Sequence, residues 1–305
     1  HLDFINAKAR WAHDTKATLP LLSKENHVSL RKARHPLIDP QRVVTNDIKI
    51  GEDYQAIIIT GPNTGGKTIT LKTLGIIQLM GQSGLFIPAE EGSTIGIFDN
   101  VFADIGDEQS LEQNLSTFSG HMDGVKAILE QITSRSLVLL DELGAGTDPK
   151  EGAALAMAIL DNIGSKGTMV VITTHYPELK VYGYDRAKTI NASMEFDQET
   201  LKPTYKLLLG IPGRSNGLEI AQRLGISPQV IDEARTFVSD DSQDLNNMIG
   251  DLVEQRKKAR EESEKLAKLV AKNEKVQRDL DEKLTRFNEQ RDKLYEQARS
   301  KVNHQ

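Results

Sequence analysis

Residues 56–68 read AIIITGPNTGGKT, a short β-branched run that feeds directly into a glycine-rich loop closed by Lys-Thr. Isoleucine-rich runs of this length suit a strand buried on both faces. A loop of this composition after such a strand is built to hold phosphate. Backbone N–H groups freed at Gly61, Gly65 and Gly66 cradle the anion, with Pro62, Asn63 and Thr64 completing the loop. Lys67 is placed to reach the β and γ oxygens and the Thr68 hydroxyl to ligate Mg²⁺. TLKTLGIIQLM then starts a helix whose N-terminal dipole faces the bound charge. The expected fold class is therefore α/β, with a mostly parallel sheet.

The remainder of the chain agrees with that class. Apolar strands alternate with helices through SLVLLDE, EGAALAMAILDNI and TMVVITT, and ligands in such sheets sit outside the carboxyl ends of the strands. Before them, an extended pattern begins at Val28 with VSLRKARHPLI; after them, NASMEFDQETLKPTYKLLLG reads as a β-hairpin turning near 199–202. The opening HLDFINAKARWAHDT reads as a helix, with Leu2, Ile5, Ala9 and Ala12 on one face and Trp11 expected in a core. It starts without Met and the last helix stops without a terminator, so the chain reads as cut from something longer.

Two further segments follow the sheet. GRSNGLEIAQRLGISPQVIDEARTFV reads as two short helices broken at 224–228, with Ser227 as cap and Pro228 in the first turn. Its exposed face lacks a run of Arg and Lys, which favours a dimerising or packing role over DNA reading. From about Leu245 onward roughly half the residues are charged, and Leu266, Leu269, Val276, Leu280, Leu284, Phe287, Leu294 and Ala298 recur at three- and four-residue spacing. That spacing favours a coiled-coil arm, interrupted at Asn273 and Arg291; a solvated single helix is the other reading.

A chain of 305 residues with 38% hydrophobic content supports one large domain plus appendages. Its net charge of −6 argues against a broad basic surface that grips a phosphate backbone by counterion release. The sequence has no cysteine, which fits a reducing cytoplasm, the expected location, and no apolar run long enough to suggest a membrane partner.

Chemistry gathers at two strand tips. LVLLDE delivers Asp141 to hold Mg²⁺ opposite Thr68 and Glu142 to orient or deprotonate a water, while TMVVITTHY places His175 where an imidazole can bond a γ-phosphate. Asp148, in GAGTDPKEG, is either a turn residue or one that crosses to a second subunit. Ser116 and Thr117, in QNLSTFSGHM, either cap the helix that follows or offer hydroxyls and N–H groups to the γ-phosphate held by another chain.

GPNTGGKT, NLSTF, LLDELGAGT and TTHY in this order resemble the ATPase core of the MutS family within the ABC superfamily. RKARHPLI and GRSNGLEIAQRLG extend the resemblance over about residues 29–240, and DELGAGTDPKEG with the helical extension is closer to the bacterial MutS-II branch. The resemblance implies the tail of a lever helix and linker at 1–28 and an ABC-type ATPase core at 29–212. A helix-turn-helix dimerisation unit at 213–240 and a coiled-coil arm at 241–305 complete the implied layout. It implies ATP and Mg²⁺ as the bound groups, and a homodimer with two composite sites in which Glu142, Lys67 and His175 act beside the partner's Ser116 and Thr117. It further implies an ATP-driven clamp on branched recombination DNA or on stalled, collided ribosomes, with the family's nuclease domain outside this chain. The base contact is expected before the loop, at Leu37 or Ile38, where a strand-edge role is the alternative.

Three other readings compete. A chromosome-organising or break-repair ATPase carries its coil between the phosphate loop and the Asp-Glu strand, and that interval is too short here for a long antiparallel coil. A transporter subunit needs an LSGGQ-like signature, which NLSTFSGHM does not match. A dimerisation scaffold with an inert site differs only in releasing no phosphate.

Overall fold

The computed structural model describes residues 2–62, 65–106, 116–197, 200, 202–213 and 217–237, with scattered positions between 255 and 284. The chain divides into two compact units, His1–Ile249 and Gly250–Gln305.

Helix α1 (Leu2–Thr15) opens the first unit, followed by β1 (Leu21–Leu22), β2 (Val28–Ala33), β3 (Asn46–Ile50) and β4 (Ala56–Thr60). Then come α2 (Lys67–Gln82), β5 (Thr94–Ile95), β6 (Asn100–Asp104), α3 (Ser116–Gln131), β7 (Ser136–Leu140) and α4 (Pro149–Ser165). The series ends with β8 (Met169–Thr174), α5 (Pro177–Asp185), β9 (Thr189–Asp197), β10 (Lys202–Leu209), α6 (Gly217–Arg223) and α7 (Pro228–Phe237).

The main sheet has six strands in the order β10-β9-β4-β8-β7-β6. All neighbours run parallel except β10, which returns antiparallel on β9 as the expected hairpin. β4 lies between β8 and β9, so the glycine loop leaves from inside the sheet, where Ile57, Ile58 and Ile59 are each at most 1% exposed. Alternation along the strands sorts the core into two layers. Ile57, Ile59, Leu137, Leu139 and Val171 pack with Leu71, Leu74 and Ile77 of α2. Ile58, Val138, Leu140, Val170 and Ile172 pack with Ile128, Ala156, Leu160 and Leu179 from α3, α4 and α5. Each fully buried aliphatic side chain contributes roughly 1.5–3 kcal/mol, and this two-faced burial is what fixes the strand tips relative to one another.

A second, four-stranded sheet in the order β1-β5-β2-β3 joins the α2 layer through Val28, Leu30, Ile48, Ile50 and Ile95. The apolar stripe of α1 differs from expectation: none of its residues is buried, and Trp11 is only half-covered. The helix is tied down at its end, where the Arg34 guanidinium donates to the Thr15 and Lys16 carbonyls. In the second unit the described positions from Gln255 to Leu284 are helical, with Leu266, Leu269, Leu280 and Leu284 exposed.

Candidate active site

The loop turns out of β4 at Gly61 and enters α2 at Gly66, whose φ of 93° is left-handed. A Cβ at Gly66 would lie 2.9 Å from Tyr205 Cδ1, so both conformation and space demand glycine there. Gly66 is the N-cap and gives α2 no side-chain cap, so the free N–H groups of the first turn suit an anion. Asn63 and Thr64 lie outside the described residues.

Lys67 is 1% exposed; its Nζ donates to the Gly61 carbonyl at 2.7 Å and sits 3.9 Å from Glu142 Oε1. Burial pulls its pKa below the ordinary lysine value, while Glu142 and then Asp141 oppose that shift. A phosphate in the loop would add to the negative charge that Glu142 and Asp141 already place near this ammonium, so the site fits an anion. Thr68 Oγ1 donates to Asp141 Oδ2 at 2.7 Å, which brings the two expected metal ligands together. Among the described residues no three His, Cys, Asp or Glu side chains gather to cage a metal. One hydroxyl and one carboxylate instead suit Mg²⁺, which takes its remaining ligands from water and phosphate.

Glu142 has a φ of 49°, the left-handed region, at a cost of roughly 1–3 kcal/mol for a residue with a Cβ. Its amide donates to Thr173 Oγ1 at 2.8 Å and its carbonyl accepts from the Ala145 amide at 3.0 Å, which holds the turn. The side chain remains 33% exposed, open to water. Beyond it Gly144, with φ 86°, touches Gly152: a Cβ on Gly144 would stand 2.4 Å from the Gly152 carbonyl oxygen. The Tyr176 hydroxyl donates to the Gly144 carbonyl at 2.7 Å. Burial first, then Glu142, Glu178 and Asp148, push that phenol up, so it keeps its proton and the loop stays fastened.

Asp148 is the N-cap of α4, accepting from the Lys150 and Glu151 amides at 3.0 and 3.2 Å. His175 is exposed at the tip of β8, its ring centroid 4.6 Å from that of Tyr176. Ser116 and Thr117 form the first turn of α3, and their side chains lie outside the described residues.

Beside the loop, a cavity of about 290 Å³ opens between the small sheet and α2. His35, Ile38, Val43, Gly66 and Tyr205 are among its walls, whereas Leu37 is 82% exposed and is not. Burial, then the charge of Lys72, holds His35 below its usual pKa, which favours a neutral ring. Tyr205 sits in the β9–β10 irregularity with φ 59°. Asn46 fixes it from both sides, donating to the Tyr205 carbonyl at 2.9 Å and accepting from the Leu207 amide at 2.7 Å. Composition and pattern pointed to neither Tyr205 nor Thr173; both sit in strands that read as ordinary sheet.

A largely parallel sheet with a phosphate loop on an inner strand, β4, and an Asp-Glu pair at the tip of β7, one strand beyond its neighbour β8, defines a nucleoside-triphosphate-binding ATPase core. The model of MutS domain V matches residues 57–240, and the chain belongs to the MutS family. It is 64% identical to Endonuclease MutS2 of Lactiplantibacillus plantarum over 99% of its own length and 38% of that relative's. Against the proteins of the same name from Levilactobacillus brevis and Enterococcus faecalis the identities are 62% and 59%, each over 99% of this chain and 38% of the relative. The chain thus spans well under half of the relatives it matches. No described helix is long and apolar enough to cross a membrane.

Proposed function

We propose that this chain is the Mg²⁺-dependent ATP-hydrolysing engine of a homodimeric MutS2-type clamp. The observation that carries the reading is the convergence of Lys67 and Thr68, after β4, with Asp141 and Glu142, after β7, at one end of the sheet, with Thr68 on Asp141 at 2.7 Å and Lys67 at 3.9 Å from Glu142. Mg²⁺ would supply positive charge to offset that of the phosphate oxygens. Thr68 and Asp141 would hold it, and Lys67 brings a buried cation to the phosphates. Glu142, wet on one side, orients or deprotonates the attacking water. His175, exposed near the same tips, contacts the γ-phosphate. The base occupies the cavity walled by Ile38, His35 and Tyr205, which has aromatic and apolar surface to stack on.

The partner protomer completes each site with Ser116 and Thr117 from the first turn of α3, and Asp148 crosses toward the shared interface while it caps α4. The α6–α7 pair dimerises, and the second unit extends as a coiled coil; the exposure of Leu224 at 82% and Phe237 at 80% supports a partner on α6–α7. Because part of the site arrives in trans, turnover and dimer geometry are coupled. The relatives carry the name Endonuclease MutS2, and on the present reading the whole protein is a cytoplasmic clamp that acts on branched recombination DNA or separates collided ribosomes. The nuclease activity in that name is not assigned to this chain.

Steady-state phosphate release from the chain tests the engine: release that depends on Mg²⁺ and disappears in Lys67→Ala supports it, and none at any ATP concentration leaves only a scaffold. Co-sedimentation of the full-length protein with ribosomes, against binding to a four-way DNA junction, decides the target.

A further inference from the structure

We propose that Thr173 is a positioning residue that sets both acids of the active site through one hydroxyl; the proposal rests on the ATPase reading above. Leu140 pairs with Ile172 in the β7–β8 register, so the next residues along, Asp141 and Thr173, emerge side by side. The Thr173 side chain belongs to a residue 0% exposed. Its Oγ1 donates to Asp141 Oδ1 and accepts from the Glu142 amide at 2.8 Å. A hydroxyl has one proton to give and lone pairs to receive with, and here each is aimed at a different acid.

The consequences for the two acids differ. Asp141 is gripped at both oxygens, Oδ1 by Thr173 and Oδ2 by Thr68, so the carboxylate plane is fixed before any metal arrives. Glu142 takes a left-handed backbone, φ 49°, which turns its side chain away from a regular strand path, and the bond from its amide to Thr173 holds that turn. The strand itself makes no demand for the hydroxyl. Valine has the same shape and a similar liking for a β position, so β8 would accept it, while the Glu142 amide and Asp141 Oδ1 would lose this partner. Supporting groups behind metal ligands typically change affinity or rate by 10–100-fold.

The full chain carrying Thr173→Val and, separately, Thr173→Ser provides the test. Binding of a non-hydrolysable ATP analogue is measured with and without Mn²⁺, Mn²⁺ itself is followed by its paramagnetic resonance, and phosphate release and melting are recorded alongside. In Thr173→Val, metal-free analogue binding stays within about two-fold while Mn²⁺ affinity and kcat each fall roughly ten-fold or more, with KM for ATP little changed. Thr173→Ser restores both. The proposal is overturned if Thr173→Val keeps wild-type Mn²⁺ affinity and kcat, even with a lower melting temperature, or if Thr173→Ser fails as the valine does. A wild-type chain that neither binds the analogue nor releases phosphate overturns the ATPase reading itself, and this proposal with it.

Discussion

Thr68 Oγ1 and Asp141 Oδ2 meet at 2.7 Å, joining the first turn of α2 to the tip of β7. Two hard oxygen donors on separate elements are therefore already within one ion's reach of each other. Asp141→Ala is expected to keep metal-free nucleotide binding and lose the part that needs Mg²⁺. Wild-type protein at a hundred-fold excess of Mg·ATP over Kd gains about 2.7 kcal/mol, and the variant's melting curve with Mg·ATP should match its curve with ATP and chelator. A full Mg²⁺-dependent gain in the variant would remove Asp141 from the metal site.

Lys67 buries a charge for function at some cost to the empty fold, since burial depresses its pKa despite Glu142 and Asp141. A lysine whose folded pKa lies below its unfolded one destabilises the protein at neutral pH, and that penalty fades only as pH rises toward the ordinary lysine value. Lys67→Met should thus melt at or above the wild-type temperature at pH 7 without nucleotide, and show no rise on adding Mg·ATP. A variant that melts much lower would mean that the ammonium holds the loop rather than the phosphate.

Glu142 Oε1, 3.9 Å from Lys67 Nζ, is close enough to the phosphate-facing end of the site to act on a water. Glu142→Gln keeps the shape and removes the base, so nucleotide should bind with a Kd within about three-fold of wild type while kcat falls roughly 10²–10⁴-fold. Single-turnover measurement separates this from slow product release; an unchanged chemical step would assign the water to another group.

Tyr205 faces Gly66 from a bulged strand, held in its left-handed conformation by Asn46. If it packs on the base, Tyr205→Ala weakens ATP binding about ten-fold, about 1.4 kcal/mol, with kcat nearly unchanged, because stacking is made equally in ground and transition states. Tyr205→Phe should bind like wild type. Equal affinity of Tyr205→Ala and wild type would place the base elsewhere.

How much of this was written legibly in the sequence depends on how local each feature is. The glycine loop, the apolar run ending in Asp141-Glu142 and the hairpin of β9 and β10 are contiguous, and contiguous chemistry can be read residue by residue. Thr173 matters only because β7 and β8 align Leu140 with Ile172, a register no single segment reveals. Tyr205 depends on Asn46, 159 positions away, and on a positive φ that its residue type does not announce. The small sheet was legible only in part: the extended pattern from Val28 is β2, whereas β1 and β5 have two residues each, too short for any periodicity. The α1 stripe failed in the opposite direction, since its spacing is helical and apolar yet none of its residues is buried. Periodicity reports a face that can be covered, not what covers it.

The composite-site reading makes a prediction that no single-chain mechanism shares. Lys67→Ala destroys a protomer's own cradle and Thr117→Ala, at the first turn of α3, destroys what it lends to its neighbour; each homodimer has no working site. In a heterodimer of the two, one site collects both lesions and the other collects none. Random mixing makes half the dimers hetero, so about a quarter of wild-type sites return when the inactive proteins are combined. Phosphate release measured across mixing ratios should be zero at both ends and peak at the equimolar point. A flat, inactive profile, with subunit exchange verified by fluorescence transfer, would mean that the α3 turn serves its own protomer, and the trans assignment of Ser116 and Thr117 would fall.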